Sequence, residues 1–481
     1  MFKLTPVAAA VLVMVTGHAL AANSLSSQYQ NGSSNIADVQ QVDASYASVQ
    51  QVQIGNGNDT AAYQETTDSQ IDQQQQGNQN GAYGEQIQEQ SSKITQRQND
   101  QRNNTHASQS LGQNNQITTH QSGDGNFTFA FQDNQYGSTI NTDQSGNNNS
   151  ATAEQLYGGT GNNAQITQRG DANQAYTEQL GHLNGQINLY QDGQGNYAYA
   201  EQRNGNGGSI NVDQYGQFNT AQMFQDNQTN SHSTVTQTGN WNEGVVDQLN
   251  GFNNLGTINQ WGDRNAASVV QWNVNNATTT VTQNGQDHLL FSSQAGSGHN
   301  LTSVAYGSGN KVQASEYDGA RLGGQFGTNQ TAFLNQSGQN NAINLTQKGN
   351  ANLTNLKQGG GARNDAKVTQ DDNYNELYFE QNGSDNILIA DQRGDSNYAQ
   401  GTSFGNGNTT DLTQSGSDNQ SYTSQNGDSN LITLKQSDSY NVAYVTQSGN
   451  LNTATVTQSA TNQAASVTQI GNSNTATVNQ R

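Results

Sequence analysis

Apolar residues in this chain rarely run together; they alternate with polar ones. In Asn452-Thr-Ala454-Thr-Val456-Thr-Gln458, one parity holds Asn452, Ala454, Val456 and Gln458, and the other holds three threonines. On an extended strand the residues of one parity share one face, and Thr and Val suit a pleated strand. Before this strand lie Gln447 and four residues, Ser448-Gly-Asn-Leu451, which read as a turn. Gly there supplies the positive φ of a tight reversal. The unit is thus a seven-residue strand and a four-residue turn, Q-x-G-x-x-N-x-A-x-x-x-Q, with each closing Gln opening the next. Gln414, Gln425, Gln436, Gln447, Gln458, Gln469 and Gln480 stand eleven apart. Two units make one rung of strand-turn-strand-turn, and a rung buries its inner face only by stacking on others. No 3.6-residue periodicity competes with this reading after the first residues.

The same pattern extends back through the chain. Complete units run from Gln144 to Gln155, Gln168 to Gln179, Gln191 to Gln202, Gln214 to Gln225 and Gln260 to Gln271. Between them lie units one residue longer, such as Gln179 to Gln191. Counted back by twos from each Gln, Ile187, Leu189, Ile210, Val212 and Val235 point inward, facing Ala198, Ala221 and Ala267. Large residues opposite small ones fill a thin core without voids. The expected inward ladder comprises these Gln residues with Gln447, Gln458, Gln469 and Gln480, and Asn173, Asn196, Asn219, Asn265, Asn452 and Asn474. The expected turn glycines are Gly146, Gly170, Gly193, Gly216, Gly262, Gly449 and Gly471. The fold class is therefore all-β: a β-solenoid of two facing, parallel, in-register sheets. A rung is about 23 residues in the first half and about 22 from Gln336 onward, which makes about twenty rungs. At roughly 4.8 Å each, the stack is on the order of 100 Å long. The stretch from Gln86 to Gln109 fits less well. Ala305 and Glu316 stand where Gln is expected, and Glu316 to Gln325 is too short for a unit. This reads as a local defect within one domain.

The ends differ from the stack. Met1–Ala21 has the form of a secretory signal peptide: Lys3, the apolar run Val7–Val15 and the small-residue site Ala19-Leu-Ala21. That apolar run is too short to span a bilayer. Residues 22–34 read as a polar lead, and 35–481 as tandem repeats. Pro6, the single proline of the 481 residues, lies in the signal segment, so no proline interrupts a later backbone ladder.

Composition sharpens the picture. With 30% hydrophobic residues and a net charge of −21, the chain would ordinarily be disordered, but periodic Asn and Gln can stack as amide ladders. The absence of Cys excludes a disulfide framework. The acidic balance argues against a nucleic-acid partner and an anionic membrane surface. From Ser439 to Gln480 there is no charged residue, and such proline-free segments of high β-propensity are the most prone to cross-β pairing. Ser439–Arg481 is expected to nucleate folding and to offer a growing edge.

Candidate chemistry is sparse. Gly401-Thr-Ser403-Phe-Gly405 matches a hydrolase elbow, but Ser403 stands at a Gln position of the repeat, eleven after Gln392. His106, His120, His182, His232, His288 and His299 lack metal-ligand spacing. Gly55-Asn-Gly-Asn-Asp59 does not recur as a tandem calcium turn. Asp124, Asp171, Asp263, Asp395 and Asp428 read as solvated turn charges, and Tyr197 and Tyr199 as packing residues. No catalytic, cofactor or metal site is identified, and the chain does not read as an enzyme.

Residues 186–202, Gln-Ile-Asn-Leu-Tyr-Gln-Asp-Gly-Gln-Gly-Asn-Tyr-Ala-Tyr-Ala-Glu-Gln, resemble a curlin repeat, and most units from Asn35 to Gln480 do the same. The resemblance implies a subunit of curli, the extracellular amyloid fibres of bacterial biofilms, with inward Gln and Asn ladders. It implies export through the periplasm and a dedicated outer-membrane pore, self-assembly outside the cell, and a nucleating minor curlin as partner. This chain departs from the family in having many more than five repeats, and in lacking a long glycine-rich segment after the signal. The competing reading is a monomeric solenoid adhesin or ice-binding protein using the threonines Thr453, Thr455, Thr475 and Thr477. That reading wants Thr-x-Thr on most rungs, whereas the middle rungs carry Tyr, Glu, Asp and Gln instead.

Overall fold

A computed structural model describes residues 23–315 and 323–481. Met1–Ala21 and Glu316 lie outside these. Among the described residues the regular elements are strands alone. They wind as a two-sheet β-solenoid of about twenty turns, with alternate strands in alternate sheets. Neighbours are parallel and in register. In the first sheet Gln186–Gln194 lies between Asn163–Asp171 and Ser209–Gln217, with Gln191 level with Gln168 and Gln214. In the second, Tyr197–Arg203 lies between Gln174–Leu180 and Thr220–Thr229, with Gln202 level with Gln179 and Gln225.

The alternation along each strand decides which side is buried. Ile187, Leu189 and Gln191 point in, while Asn188 and Tyr190 point out and are half-exposed. The core is one residue pair deep per sheet, so neighbouring rungs must trade volume. Through Ile140, Ile187 and Ile210 the first sheet supplies bulk, opposite Ala151, Ala198 and Ala221 in the second. Where the first sheet shrinks to Ser233 and Gly256, the second enlarges to Met223, Val246 and Val269. A side-chain carbon on Gly256 would collide with Val246 Cγ1. Complementary volumes hold the core at interior packing density.

The structure departs from the sequence pattern at three places. The segment set apart as a polar lead contains a strand, Leu25–Asn31, paired residue for residue with Ser48–Asn56. Its alternation of Ser26, Gln28 and Gln30 is the repeat pattern without aliphatic residues. The irregularity near Glu316 is an insertion within a strand. Lys311–Ala314 and Gly324–Thr328 together fill one second-sheet position between Leu289–Ser297 and Ala342–Asn350. Gln325 holds the ladder place there, 31 residues after Gln294, and its side chain accepts from Gln294 at 2.7 Å. Finally, Ser448 closes the strand Val442–Ser448 and is not a turn residue.

The turns are laddered as well as the strands. Gly449 N–H donates to Asn426 O, Asn450 N–H to Asn472 Oδ1, Leu451 N–H to Asp428 O and Asn452 N–H to Asn430 Oδ1, all at 2.8–3.0 Å. Every N–H of this turn is therefore engaged between rungs. Proline is excluded here for the same reason as in the strands.

Candidate functional site

The distinctive chemistry of this protein is the set of amide ladders that run the length of the stack. In the first sheet Gln144, Gln168, Gln191, Gln214 and Gln260 are fully buried, and in the second Gln155, Gln179, Gln202, Gln225 and Gln271 are their counterparts. Each donates Nε2–H to Oε1 of the Gln one rung onward, at 2.8–2.9 Å. Gln447 and Gln458 donate in the same way to Gln469 and Gln480 at 2.8 Å. All bonds point one way, so each ladder is a polar chain with a donor end and an acceptor end. In the second sheet the chain is unbroken from Gln41 to Gln480. A buried amide left without partners costs about 1–3 kcal/mol, so the stacking of identical residues is what makes a polar core tolerable.

The asparagines clamp the turns. Asn173 Oδ1 accepts the backbone N–H of Asn196 at 3.0 Å, while its Nδ2 donates to Gly193 O at 3.0 Å. Asn196, Asn219, Asn265 and Asn452 repeat this toward the following rung. The clamped carbonyl belongs to a glycine with positive φ, such as Gly193 at 129°. A side-chain carbon on Gly193 would fall on the Gly216 carbonyl of the next rung, so only glycine fits. Gly146, Gly170, Gly216, Gly262 and Gly449 are stacked in the same way. Gly471 has no rung beyond it, and only Asn474 Nδ2 lies near, at 3.6 Å.

Several participants escape the sequence pattern because they are chemical substitutes. His288 and His299 stand at Asn positions and do the same work. Nδ1 of each faces the backbone N–H of Asn310 or Gln330 at 3.3 Å, and Nε2 faces the carbonyl of Asn284 or Ala295. Burial pushes both rings below the usual imidazole range. Turn acids lie at the surface and also tie neighbouring rungs together. Asp171, Asp263, Asp395 and Asp428 each accept the backbone N–H of the preceding rung through Oδ1, at 2.8–3.2 Å. Asp124 pairs instead with Arg102.

The longer units add a column in the second turn that alternates with the rungs: Glu89, Gly112, Gln135, Gly159, His182, Gly205, Gln228 and Gly251. Each large side chain reaches into the space left by the next glycine; a carbon on Gly205 would meet His182 Nε2. Glu89 is 2% exposed, accepts from Ser92 Oγ at 2.5 Å and Asn115 Nδ2 at 3.3 Å, and is pushed up to about 7 by burial. Burial pushes His182 down to about 4.

The first-sheet ladder is interrupted. Ala305 stands between Gln283 and Gln336, and Gln336 Oε1 is left buried without a donor. Ser403 is also a substitution, yet its hydroxyl donates to Gln425 Oε1 at 2.8 Å. Ser403 is fully buried within the strand Tyr398–Phe404, not on a strand-to-helix elbow. Among the described residues no group of three His, Cys, Asp or Glu side chains is arranged to hold a metal ion. Outside, Tyr199 stacks on Tyr176 at 5.1 Å, and Tyr378, Tyr398, Tyr422 and Tyr444 form a run of neighbouring rings. Tyr197 lies half-buried on the same outer face of the second sheet.

Among the described residues the first and last strands of each sheet have one unpaired edge. Leu25–Asn31 and Ile36–Gln41 pair on one side only, as do Ala464–Ile470 and Thr475–Gln480. Compared with known families, the curlin associated repeat matches residues 186–216, 405–437, 427–459 and 452–481. No curated protein matches the chain. These four stretches carry the curlin associated repeat, and the same amide ladders stack the rungs between them.

Proposed function

We propose that this protein is a secreted structural subunit that polymerises head to tail into extracellular, curli-like amyloid fibres of a biofilm matrix, serving adhesion and surface colonisation. The observation that carries the reading is the match between the two edges over Gln30–Gln41 and Gln469–Gln480. The first rung reads Gln30-x-Gly32-x-x-Asn35-x-Ala37-x-Val39-x-Gln41; the last reads Gln469-x-Gly471-x-x-Asn474-x-Ala476-x-Val478-x-Gln480. Stacked in register, Gln469 and Gln480 donate to Gln30 and Gln41 of the next copy, and Gly32 enters the space above Gly471. The one-way polarity of the ladders favours this orientation over edge pairing of like ends. Unpaired parallel edges are ready templates for such addition.

Export by a signal peptide through the periplasm and an outer-membrane pore, and initiation by a minor curlin, belong to the same proposal. The adhesin reading gains little, because outward Thr-x-Thr pairs such as Thr234/Thr236, Thr280/Thr282 and Thr475/Thr477 are scattered over both sheets and form no continuous face, while Tyr199 and Glu201 occupy the outer face elsewhere.

The test is a block at one edge. Thr453 N–H donates to Asn474 O in the rung beyond, and by the same parallel geometry Thr477 N–H points to the open side. Thr477→Pro removes an edge donor while sparing the internal ladder. The mature chain is expected to form thioflavin-positive fibres with a cross-β diffraction pattern, and the variant to remain a folded monomer. Fibres of unchanged growth rate from the variant would refute end-on assembly.

A further inference from the structure

The two edges match fully in the second sheet and only partly in the first. A second inward Gln column, Gln28–Gln51–Gln73–Gln96, exposed at Gln28 on the edge strand and buried from Gln51 onward, runs beside Gln30–Gln53–Gln75–Gln98 in the first rungs. Its bonds have the common polarity: Gln28 Nε2 donates to Gln51 Oε1 at 2.9 Å, and Gln51 to Gln73 at 2.9 Å. The N-terminal edge therefore shows two acceptor oxygens, Oε1 of Gln28 and Oε1 of Gln30, two residues apart. At the other edge the register sets Gln469 under Gln30 but Val467 under Gln28. Val467 stacks on Val445 and carries no donor.

The chain itself shows what such a step does. Where Gln336 follows Ala305, its Oε1 is buried with no partner. Where Gln425 follows Ser403, a hydroxyl supplies the missing proton at 2.8 Å. An isopropyl group offers neither remedy, so Gln28 over Val467 repeats the first case at every junction between copies.

We infer that the N-terminal edge of the first sheet is fitted to a different partner: the terminal strand of another curlin-type chain that reads Gln-x-Gln, two amide donors at alternate positions. This rests on the head-to-tail reading above and refines it. Self-addition is satisfied in the second sheet and unsatisfied at one position of the first. A Gln-x-Gln strand satisfies both. The chain's own strands Gln51-x-Gln53, Gln73-x-Gln75 and Gln96-x-Gln98 show the geometry such a partner would reproduce.

Sheared fibre seeds, counted by electron microscopy to equalise ends, test this with the mature full-length chain. Val467→Gln seeds present a Gln-x-Gln strand ending at Gln469, the strand the edge is inferred to prefer. Wild-type monomer is expected to elongate them about three- to tenfold faster than wild-type seeds, the effect of one satisfied buried amide. Gln28→Val monomer, which lacks the second acceptor, is expected to lose this preference or to favour wild-type seeds. Equal or slower elongation of Val467→Gln seeds by wild-type monomer overturns the inference and leaves head-to-tail growth standing. A preference retained by Gln28→Val monomer also overturns it, because the gain would then not pass through Gln28. If no seed of either kind accelerates growth, head-to-tail addition fails and this inference falls with it.

Discussion

At the scale of single residues, the stack is governed by whether each buried polar atom finds its partner one rung away. Ala305→Gln should close the first-sheet break by supplying Nε2–H to Gln336 Oε1. The expected gain is about 1 kcal/mol, read as slower amide exchange across Lys311–Gln347; unchanged exchange would mean that the space above Gln283 is already filled. The buried ionisable groups predict a pH window. Glu89 has a folded pKa of about 7 against an ordinary 4.5. Its contribution is complete below about 4.5 and is lost as pH rises through 7, on the order of 3 kcal/mol at the upper end. His182 works in the opposite sense: its folded pKa is about 4, so stability present above about 6.5 is lost as pH falls toward 4. His288 and His299 shift in that same direction, and a proton on Nδ1 abolishes acceptance from Asn310 or Gln330 N–H. Amide exchange should therefore quicken around Glu89 above neutral pH and around the three histidines in acid. Glu89→Gln should remove the first effect alone.

At the scale of the strand and turn, the laddered turns change what proline substitution reports. Val456→Pro deletes a strand N–H and fixes φ. Ser448→Pro, aimed at a turn by sequence, falls on a strand end level with Asn426 and Ile470. Both variants should slow fibre formation severely; a Ser448→Pro protein that polymerises normally would contradict the strand boundary. The ion pairs between rungs matter less. Arg264–Asp287, Arg363–Asp385 and Lys357–Glu380 are all solvent-exposed, and such pairs contribute about 0–1 kcal/mol each.

At the scale of the whole molecule, the decisive features are length and the unpaired edges of the first and last described rungs. Many identical nearest-neighbour interfaces let folding start at any rung and propagate. The uncharged C-terminal rungs are where it should start most readily, because charges elsewhere act as gatekeepers. Deleting Ser439–Arg481 is expected to lengthen the lag before fibres appear. Thr455 and Thr477 are direct neighbours on the outer face of the second sheet, so Asp at both stacks like charges across one rung step. That variant should also show a longer lag, while paired changes near Gln191–Gln225 matter less. An unchanged lag in the deletion variant would remove the C-terminal rungs from the nucleation step.

The sequence alone determined the period, the strand parity and the inward residues, because an eleven-residue alternation in a chain with no competing pattern admits one stacked arrangement. Gln191, Ile187 and Gly193 are each legible from position within the unit. Tertiary structure decided what depends on a neighbour 22 to 24 residues away. It showed Gln325 completing a strand after an insertion, because ladder register is set by the rungs on both sides and not by counting along the chain. It placed His288 and His299 in the Asn ladder, because an imidazole matches the amide's donor and acceptor only once the turn geometry is known. It revealed the Glu89–Gly112–Gln135–Gly159–His182 column, whose alternation spans two rungs and lies in the extra turn residue that the unit consensus omits. It also placed Gln28 beside Gln51 on the first strand and Val467 beside Val445 on the last first-sheet strand, a difference between edges that no single unit contains. Local pattern fixed each rung; contact between rungs fixed which polar atoms are satisfied, and hence where the stack is continuous and where it is broken.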